Sequence, residues 1–503
     1  MSALTWLVNP ARSADVAAVI GDDLAAFGFV LRTLRARRSR NMLRRRYYDG
    51  EEQIRNIGIA VPDDLSDLMP VVGWPAKTVN VLASRLHVEG FAVPGQGSVS
   101  DELRQIMDAN HMGVGARQAH TAALRDGCAF VAVSQGDTAA GEPSAVISTY
   151  TATDASGVWN PRTHALDYAL TMERDEWGAI LQVTWWSRSR QVRIWRNAVS
   201  QPWQAVELPH GFGRVPVVVM AYSPVPGRPF GTSRITRPVM RLTDHAARTL
   251  LRTEIDAEFF SAPQRYLLGA DMEAFEDENG ELIPGWQAVI GHLLVASRPR
   301  DDDGRQSESN PVAGQFTQAS MEPHVAELRS VATMFAGETS IPVNYLGIVQ
   351  DNPSSADAIK AAEADLIAVA EDAQVDFDAA WGQVAELAAM ASRAASGKPP
   401  DVEDLAGVHP VWRDAATPTK VAQAQSVMGL VSAGVLPANS EVTYELLGFD
   451  RSTRDRLLAD AAAIRAAQTL SALSGAANAG SDLAREIAST RTDQNGDPLT
   501  TQE

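Results

Sequence analysis

The chain holds one cysteine in 503 residues, Cys128. A single thiol excludes an internal disulfide framework and any zinc cluster built on cysteines. Its setting in "CAFVAVS" reads as a buried strand position rather than a nucleophile. Lysine is nearly as scarce: Lys77, Lys360, Lys398 and Lys420 are the only four among 44 basic residues. Positive charge is short overall, since 62 acidic residues leave a net charge of −18. Affinity for nucleic acid comes largely from neutralised phosphates, so a chain this acidic does not read as one that grips DNA or RNA across its surface. Long apolar runs are missing too. The most apolar stretch, "VPVVVMAY", is far too short to span a membrane, and "MSALTWLVNPARSADV" lacks the basic region and apolar core of a secretory signal.

Catalytic signatures are equally absent. "GFGRVP" lacks the third glycine of a dinucleotide fingerprint and precedes a strand, and no GxxxxGK[ST] loop occurs. The nine histidines form no HExxH, and no GxSxG elbow supports a serine nucleophile. Aligning the glycines of "DDDG" and "DENG" on a calcium loop puts Pro299 and Phe275 at its first ligand position, so neither fits. The expectation is no catalytic residue, no metal and no cofactor.

What is present is globular material. With 45% hydrophobic and 21% charged residues, and length for roughly three domains, the chain has ample core. Its charge is uneven. Residues 351–503 hold 23 acidic and 11 basic residues, a net of 11 − 23 = −12, whereas Arg32 to Arg46 holds eight arginines and no acid. That cluster fits either a solvated or intersubunit helix face or a phosphate- or partner-binding patch.

Four regions follow from periodicity. Residues 13 to about 60 read as helix, followed by two amphipathic helices with glycine exits in "SDELRQIMDAN" and "MGVGARQAHTAALRDG". From Cys128 to Tyr222 the period changes to short β-branched or aromatic runs, which predict a mainly antiparallel sheet module. A long helix begins near Ser233, with Val239, Leu242, Ala246 and Leu250 apolar and Pro238 in its first turn. Strand-like "PQRYLLG" and "WQAVIGHLLVA", a turn at Asn279-Gly280 and an acidic loop at Asp301, Asp302 and Asp303 come next, then a second helix in "MEPHVAELRSVATMFAGE". The stretch "SIPVNYLGIVQDNPSSAD" breaks that helix through Pro342, Gly347 and Asn352-Pro353. Ser354 is the expected N-cap of the helix that restarts after it and runs without proline to Pro399. Beyond the linker "SGKPPDVEDL", Thr417-Pro418, Ser440 and Ser452 open helices and Gly434 and Gly448 close two of them. The final segment ending "TRTDQNGDPLTTQE" reads as disordered.

Taken in order, "YYDGEEQI", "GRVPVVVMAYSP", "FGTSRITRPVMRLTDHAARTLLRTEIDAEFFSAPQRYLLGAD", "LGIVQDNPSSADAIKAAEADL" and "GVLPANSEVTYELLGFD" resemble segments of bacteriophage portal proteins, the head-to-tail connectors of the group similar to the Bacillus siphophage portal. The resemblance spans roughly residues 40 to 460. It implies an α+β, mainly helical portal fold: a wing over 1–232 with its β-rich module, a first stem helix over 233–260, a small α/β clip over 261–316 and a second stem helix over 317–339. A tunnel loop over 340–354, a long wing helix and linker over 355–416, a helical crown over 417–475 and a disordered tail over 476–503 complete it.

The same resemblance implies a ring, dodecameric in such portals, at one capsid vertex of the virion. Double-stranded DNA would enter and leave through it without sequence specificity. Its partners would be other copies of itself, the terminase packaging motor, the head-tail adaptor and the major capsid and scaffold proteins, with assembly in the host cytoplasm and no membrane. Another structural or adaptor protein of the virion is the alternative, and an enzyme without a recognisable motif the third. Gln350, Asp351 and Asn352 would face the channel. Asp301, Asp302 and Asp303 would dock the clip's partner. Arg241, Arg248 and Arg252, roughly on one face of the first stem helix, would contact phosphate at the channel wall or form intersubunit ion pairs.

Overall fold

The computed structural model describes residues 13–52, 70–94, 100–196, 201–260, 265–268, 312–315, 320–348, 356–399, 402–416, 420–449 and 451–493. The chain divides into two compact units, Met1–Ala415 and Ala416–Glu503.

The larger unit opens with helices Ala14–Ile20 and Leu24–Asp49, the second ending at Gly50 in the left-handed conformation. Helix Trp74–Ala83 leads into strand β1 (Val88–Ala92). Helix Asp101–Ala109 is capped by Ser100, whose side chain accepts from the Leu103 amide at 3.4 Å. It does not leave through glycine as its sequence suggested. Asn110 turns the chain, its side chain holding the Ile106 and Ala145 carbonyls, and His111 takes a φ of 51°. Helix Met112–Asp126 does exit through Gly127, at φ 103°.

The sheet module is antiparallel, as the short β-branched and aromatic runs predict. Strands β2 (Cys128–Gln135), β3 (Ala145–Thr151), β4 (Ala155–Asn160), β5 (Ala165–Arg174), β6 (Ile180–Trp186), β7 (Arg190–Trp195), β8 (Gln204–Pro209) and β9 (Val217–Ala221) form two sheets, ordered β3-β2-β9 and β4-β5-β6-β7-β8. Strand β2 is buried on both faces, and its period of two sorts it between two cores. Ala129, Val131 and Val133 pack in the core that holds Met112–Asp126 and the long helix Ala356–Ala395, while Cys128, Phe130 and Ala132 meet the five-stranded sheet at Leu166, Ala169 and Trp186. The far side of that larger sheet, with Leu170, Val183 and Trp185, is covered by Ile20, Phe27 and Leu31 of the two N-terminal helices. The order of layers is therefore helix, sheet, sheet, helix. Burial pushes the Cys128 thiol up to about 12, which removes it as a nucleophile at neutral pH.

At the centre of the largest core His120 stacks on Phe377 with ring centroids 5.1 Å apart. Its Nδ1 lies 3.2 Å from the Leu86 carbonyl, and its Nε2 accepts from the Trp381 indole N–H at 2.8 Å. A ring that donates at one nitrogen and accepts at the other is neutral. Burial drives its pKa down to about 3, partly opposed by the Leu86 carbonyl.

Helix Arg237–Phe260 and helix Glu322–Thr339 pack against each other, and between them β10 (Arg265–Leu268) pairs antiparallel with β11 (Val312–Gln315). The other sequence features of this insertion, the strand-like "WQAVIGHLLVA", Asn279-Gly280 and Asp301 to Asp303, lie outside the described residues. Where a linker is expected, strand β12 (His409–Trp412) returns to pair with β1, Val88 opposite Trp412.

The smaller unit consists of helices Lys420–Ser432, Glu441–Leu446 and Arg451–Asp493. Gly434 and Gly448 adopt φ of 73° and 74°, as their closing roles require. The last helix starts one residue ahead of Ser452 and continues to Asp493, well into the segment expected to be disordered. The stretch is alanine-rich and meets no proline before Pro498, so helix propensity carries it on. Ser440 caps the middle helix by accepting from the Thr443 amide at 3.2 Å. Ser440→Ala is expected to cost this unit about 1 kcal/mol. A urea titration of the chain followed by helical circular dichroism measures it, and an unchanged midpoint for this unit would remove the cap's significance.

Candidate functional site

The two packed helices owe their contact to small and apolar residues. On Arg237–Phe260, Val239, Ala246, Ala247 and Leu251 are buried; on Glu322–Thr339, Val331, Ala332, Phe335 and Ala336 are. Thr243 and Thr249 are buried as well, their hydroxyls satisfied by donating to the Val239 and His245 carbonyls one turn earlier, at 2.8 and 3.0 Å. Arg234 fixes the start of the pair. Its guanidinium donates to the Thr78 carbonyl, the Tyr222 hydroxyl and the Thr339 carbonyl, so three elements converge on one side chain.

Across the pair runs a ladder of charge. His245 Nε2 lies 2.9 Å from Glu327 Oε1, Arg252 lies 3.5 Å from the same oxygen, and His324 Nε2 lies 2.7 Å from Asp256 Oδ2. The hydrogen bond from His245, with the charge of Arg252, holds the Glu327 carboxyl below its usual range against slight desolvation. The three arginines singled out from sequence thus meet different fates. Arg241 is 82% exposed and pairs with Asp244 on its own helix at 3.4 Å, a carboxylate that also accepts from Tyr47 at 2.8 Å. Arg252 pairs with the facing helix of the same chain. Arg248 has no ion pair among the described residues.

The second helix ends at Ser340, in the left-handed conformation at φ 53°, and Ile341 and Pro342 are buried. A short 3-10 turn, Val343–Leu346, then closes on Gly347 at φ 87°. The chain is described again from Ala356, where the 40-residue helix Ala356–Ala395 begins. Gln350, Asp351, Asn352 and the Ser354 cap lie outside the described residues.

The flanks of that interval are fastened to each other, which the sequence did not reveal. Tyr345 donates to Glu363 Oε1 at 2.5 Å, and Arg85 reaches the other oxygen of Glu363 at 3.1 Å while donating to the Ala415 carbonyl at 2.7 Å. Arg85 is 8% exposed. Burial and the Glu363 carboxylate raise the Tyr345 pKa. No local motif carries this signal, because Glu363 sits in an ordinary alanine-rich helix and Arg85 is 278 residues away.

A family model described as "Phage portal protein, SPP1 Gp6-like" matches residues 29–441. The chain belongs to this portal family. Among curated relatives, the portal protein of Mycobacterium phage L5 is 30% identical over 404 residues, covering 78% of this chain and 79% of that one. The portal protein of Mycobacterium phage D29 is 28% identical over 422 residues, covering 82% and 83%. Solved structures similar to this portal chain include one from the virion of a native gene transfer agent particle, at 14% identity and a TM-score of 0.39 over 78% of this chain and 96% of that one. Another comes from the neck of an empty gene transfer agent particle, at 13% identity and a TM-score of 0.40 over 78% and 95%. The family is structural. The α+β architecture expected of a portal is the one observed. No helix among the described residues is long and apolar enough to cross a membrane.

Proposed function

We propose that this portal chain works as a ring of identical copies at one capsid vertex, assembled in the host cytoplasm. Double-stranded DNA passes through its central channel during packaging and ejection. The observation that carries the ring is the surface of the smaller unit. Its described apolar core is little more than Val427 and Ala461, while Met428, Val435, Ile464, Leu470 and Leu473 stand 59–68% exposed. Helices this apolar on the outside are completed by neighbours, and closed symmetry is the usual way identical chains supply them.

In this reading residues 1–232 and 355–416 form the wing, which the packing of helix Ala356–Ala395 on the β3-β2-β9 sheet supports. Residues 233–260 and 317–339 form the stem, 261–316 the clip, 340–354 the tunnel loop and 417–475 the crown. Of the three stem arginines, Arg248 and the exposed Arg241 are the better candidates for phosphate or a neighbouring copy, since Arg252 is engaged within its own chain. Asp301, Asp302 and Asp303 would dock a basic surface of the packaging motor or adaptor. Capsid and scaffold proteins would meet the wing. No catalytic role is proposed.

Native mass measurement of the purified chain tests the ring: a closed oligomer with a central hole in negative-stain images is expected. A monomer or dimer at high concentration across salt conditions would overturn it. A second measurement tests the loop. Asp351→Lys would place a cation on each subunit around the channel, where it engages phosphate. Rings and proheads should form normally, and DNA packaging should slow, with rising salt restoring part of the rate. Packaging at the unmodified rate at both low and high salt would mean that Asp351 does not face the duplex.

A further inference from the structure

The arginine-rich helix Leu24–Asp49 was open to two readings from sequence, and its inner face borders a cavity of about 340 Å³. The cavity lies between this helix, the start of β2 and the turn at 227–232. The turn owes its shape to Gly231, at φ 64°, where a Cβ would overlap the Tyr222 carbonyl. Four arginines line the space, Arg37, Arg40, Arg44 and Arg228, against one carboxylate, Asp126. That carboxylate is already taken: Arg125 grips both its oxygens at 2.9 Å.

None of the four lining arginines has a carboxylate partner among the described residues. Arg37 lies over the Phe230 ring, 5.0 Å from its centroid. Arg44 donates to the Asp126 carbonyl at 2.7 Å and to Asn41 Oδ1 at 3.4 Å, yet its Nε is buried with no acceptor. Burial first, then the neighbouring charge of Arg40, lower the Arg44 pKa to about 10, with Asp126 only partly opposing them. A buried donor without an acceptor and a crowd of like charges are both costly unless something supplies the missing oxygens and negative charge.

We propose that this cavity is a binding site for a small phosphate-bearing anion, its oxygens received by Arg40, Arg44 and Arg228. Guanidinium forks match phosphate oxygens in pairs. A phosphoryl group carries more charge than a carboxylate, and so answers more of the four guanidinium charges. A DNA duplex presents its phosphates on the outside of a stiff rod, which cannot enter a recess of this size. The site is lined within a single chain, so its occupation can be tested without the ring. The same phosphoryl chemistry is supplied by inorganic pyrophosphate or by the end of a nucleotide, where Phe130 and Phe230 in the cavity wall would face the attached group.

Isothermal titration of the full chain at constant ionic strength, with pyrophosphate, ADP and acetate as separate probes, tests the site. Saturable binding of pyrophosphate or ADP is expected, with a Kd below roughly 1 mM and no binding of acetate. ADP binding at least ten-fold tighter than pyrophosphate assigns the site to a nucleotide; the reverse order, or equal binding, assigns it to the inorganic anion. Arg40 and Arg228 are exposed and lack ion-pair partners, so Arg40→Ala and Arg228→Ala should fold normally by circular dichroism. Each should weaken binding ten-fold or more, and together they should abolish it. No saturable binding of either phosphate probe, equal binding of acetate, or unchanged affinity in the double variant would each overturn the proposal.

Discussion

Replacing Glu363 with alanine is expected to cost the larger unit about 3–5 kcal/mol, because it leaves the Arg85 guanidinium buried without its counter-charge. The two side chains are 7% and 15% exposed, so solvent does little to screen the loss. Among the described residues Arg85 then keeps only the Ala415 carbonyl and a long contact to the Tyr345 hydroxyl at 3.4 Å. Tyr345→Phe removes the donation to Glu363 and the long contact from Arg85 but no charge, so about 1 kcal/mol is expected from it. Urea unfolding of the two variants and the double variant separates the contributions. In the double variant the tyrosine change should add little, since the acceptor for its hydroxyl is already gone. Equal, small losses in both single variants would show that Arg85 finds another partner and that the fastening at the loop flanks is not ionic.

Acid should weaken the larger unit through His120. The folded pKa lies near 3 and the unfolded one near 6.5, so as pH falls the unfolded chain takes the proton first. Stability that is fully present above pH 6.5 is lost below it at about 1.4 kcal/mol per pH unit until the folded pKa is reached. Protonation inside the fold is blocked by geometry as well as burial, since it would set an N–H on Nε2 against the Trp381 indole N–H. Between pH 6.5 and 5 the expected loss from this one ring is about 2 kcal/mol. His120→Gln keeps a donor and an acceptor without titrating, and its unfolding free energy should fall less over the same interval. Parallel curves for the two proteins would refute the assignment.

Periodic elements were legible in the sequence, and pairings distant along the chain were not. The short β-branched and aromatic runs "CAFVAVS" and "AILQVTWW" announced β2 and β6, because such side chains favour strands whatever lies far along the chain. Strands β4 and β8 carry weaker signals: "ASGVWN" is interrupted by a glycine, and "QAVELP" places Gln204 and Glu207 among its apolar residues and ends on proline. Helix Arg237–Phe260 could be read from its apolar repeat, and Ser440 from its hydroxyl ahead of an acidic first turn. The fastening of Tyr345 to Glu363, the three-way grip of Arg234 and the cavity beside Arg44 depend on which distant elements the core brings together. The eight-arginine cluster showed that charge accumulates on one helix. Which of those arginines face inward depends on the strand and turn packed against them.

The pairing of β1 with β12 has a consequence for synthesis. Arg413 reinforces it, donating to the His87 carbonyl at 2.9 Å through its backbone amide and to Glu89 at 2.7 Å through its guanidinium. The strands begin to match at Val88 and Trp412, 412 − 88 = 324 residues apart. At about 5–20 residues per second a ribosome needs on the order of half a minute to deliver the second strand after the first. Throughout that time the edge of β1 stays open on the nascent chain, and helix Ala356–Ala395, which closes the largest core, is still being made. The larger unit therefore completes its fold only after Trp412 has been delivered, so a nascent chain that has not passed that point cannot associate through a finished larger unit.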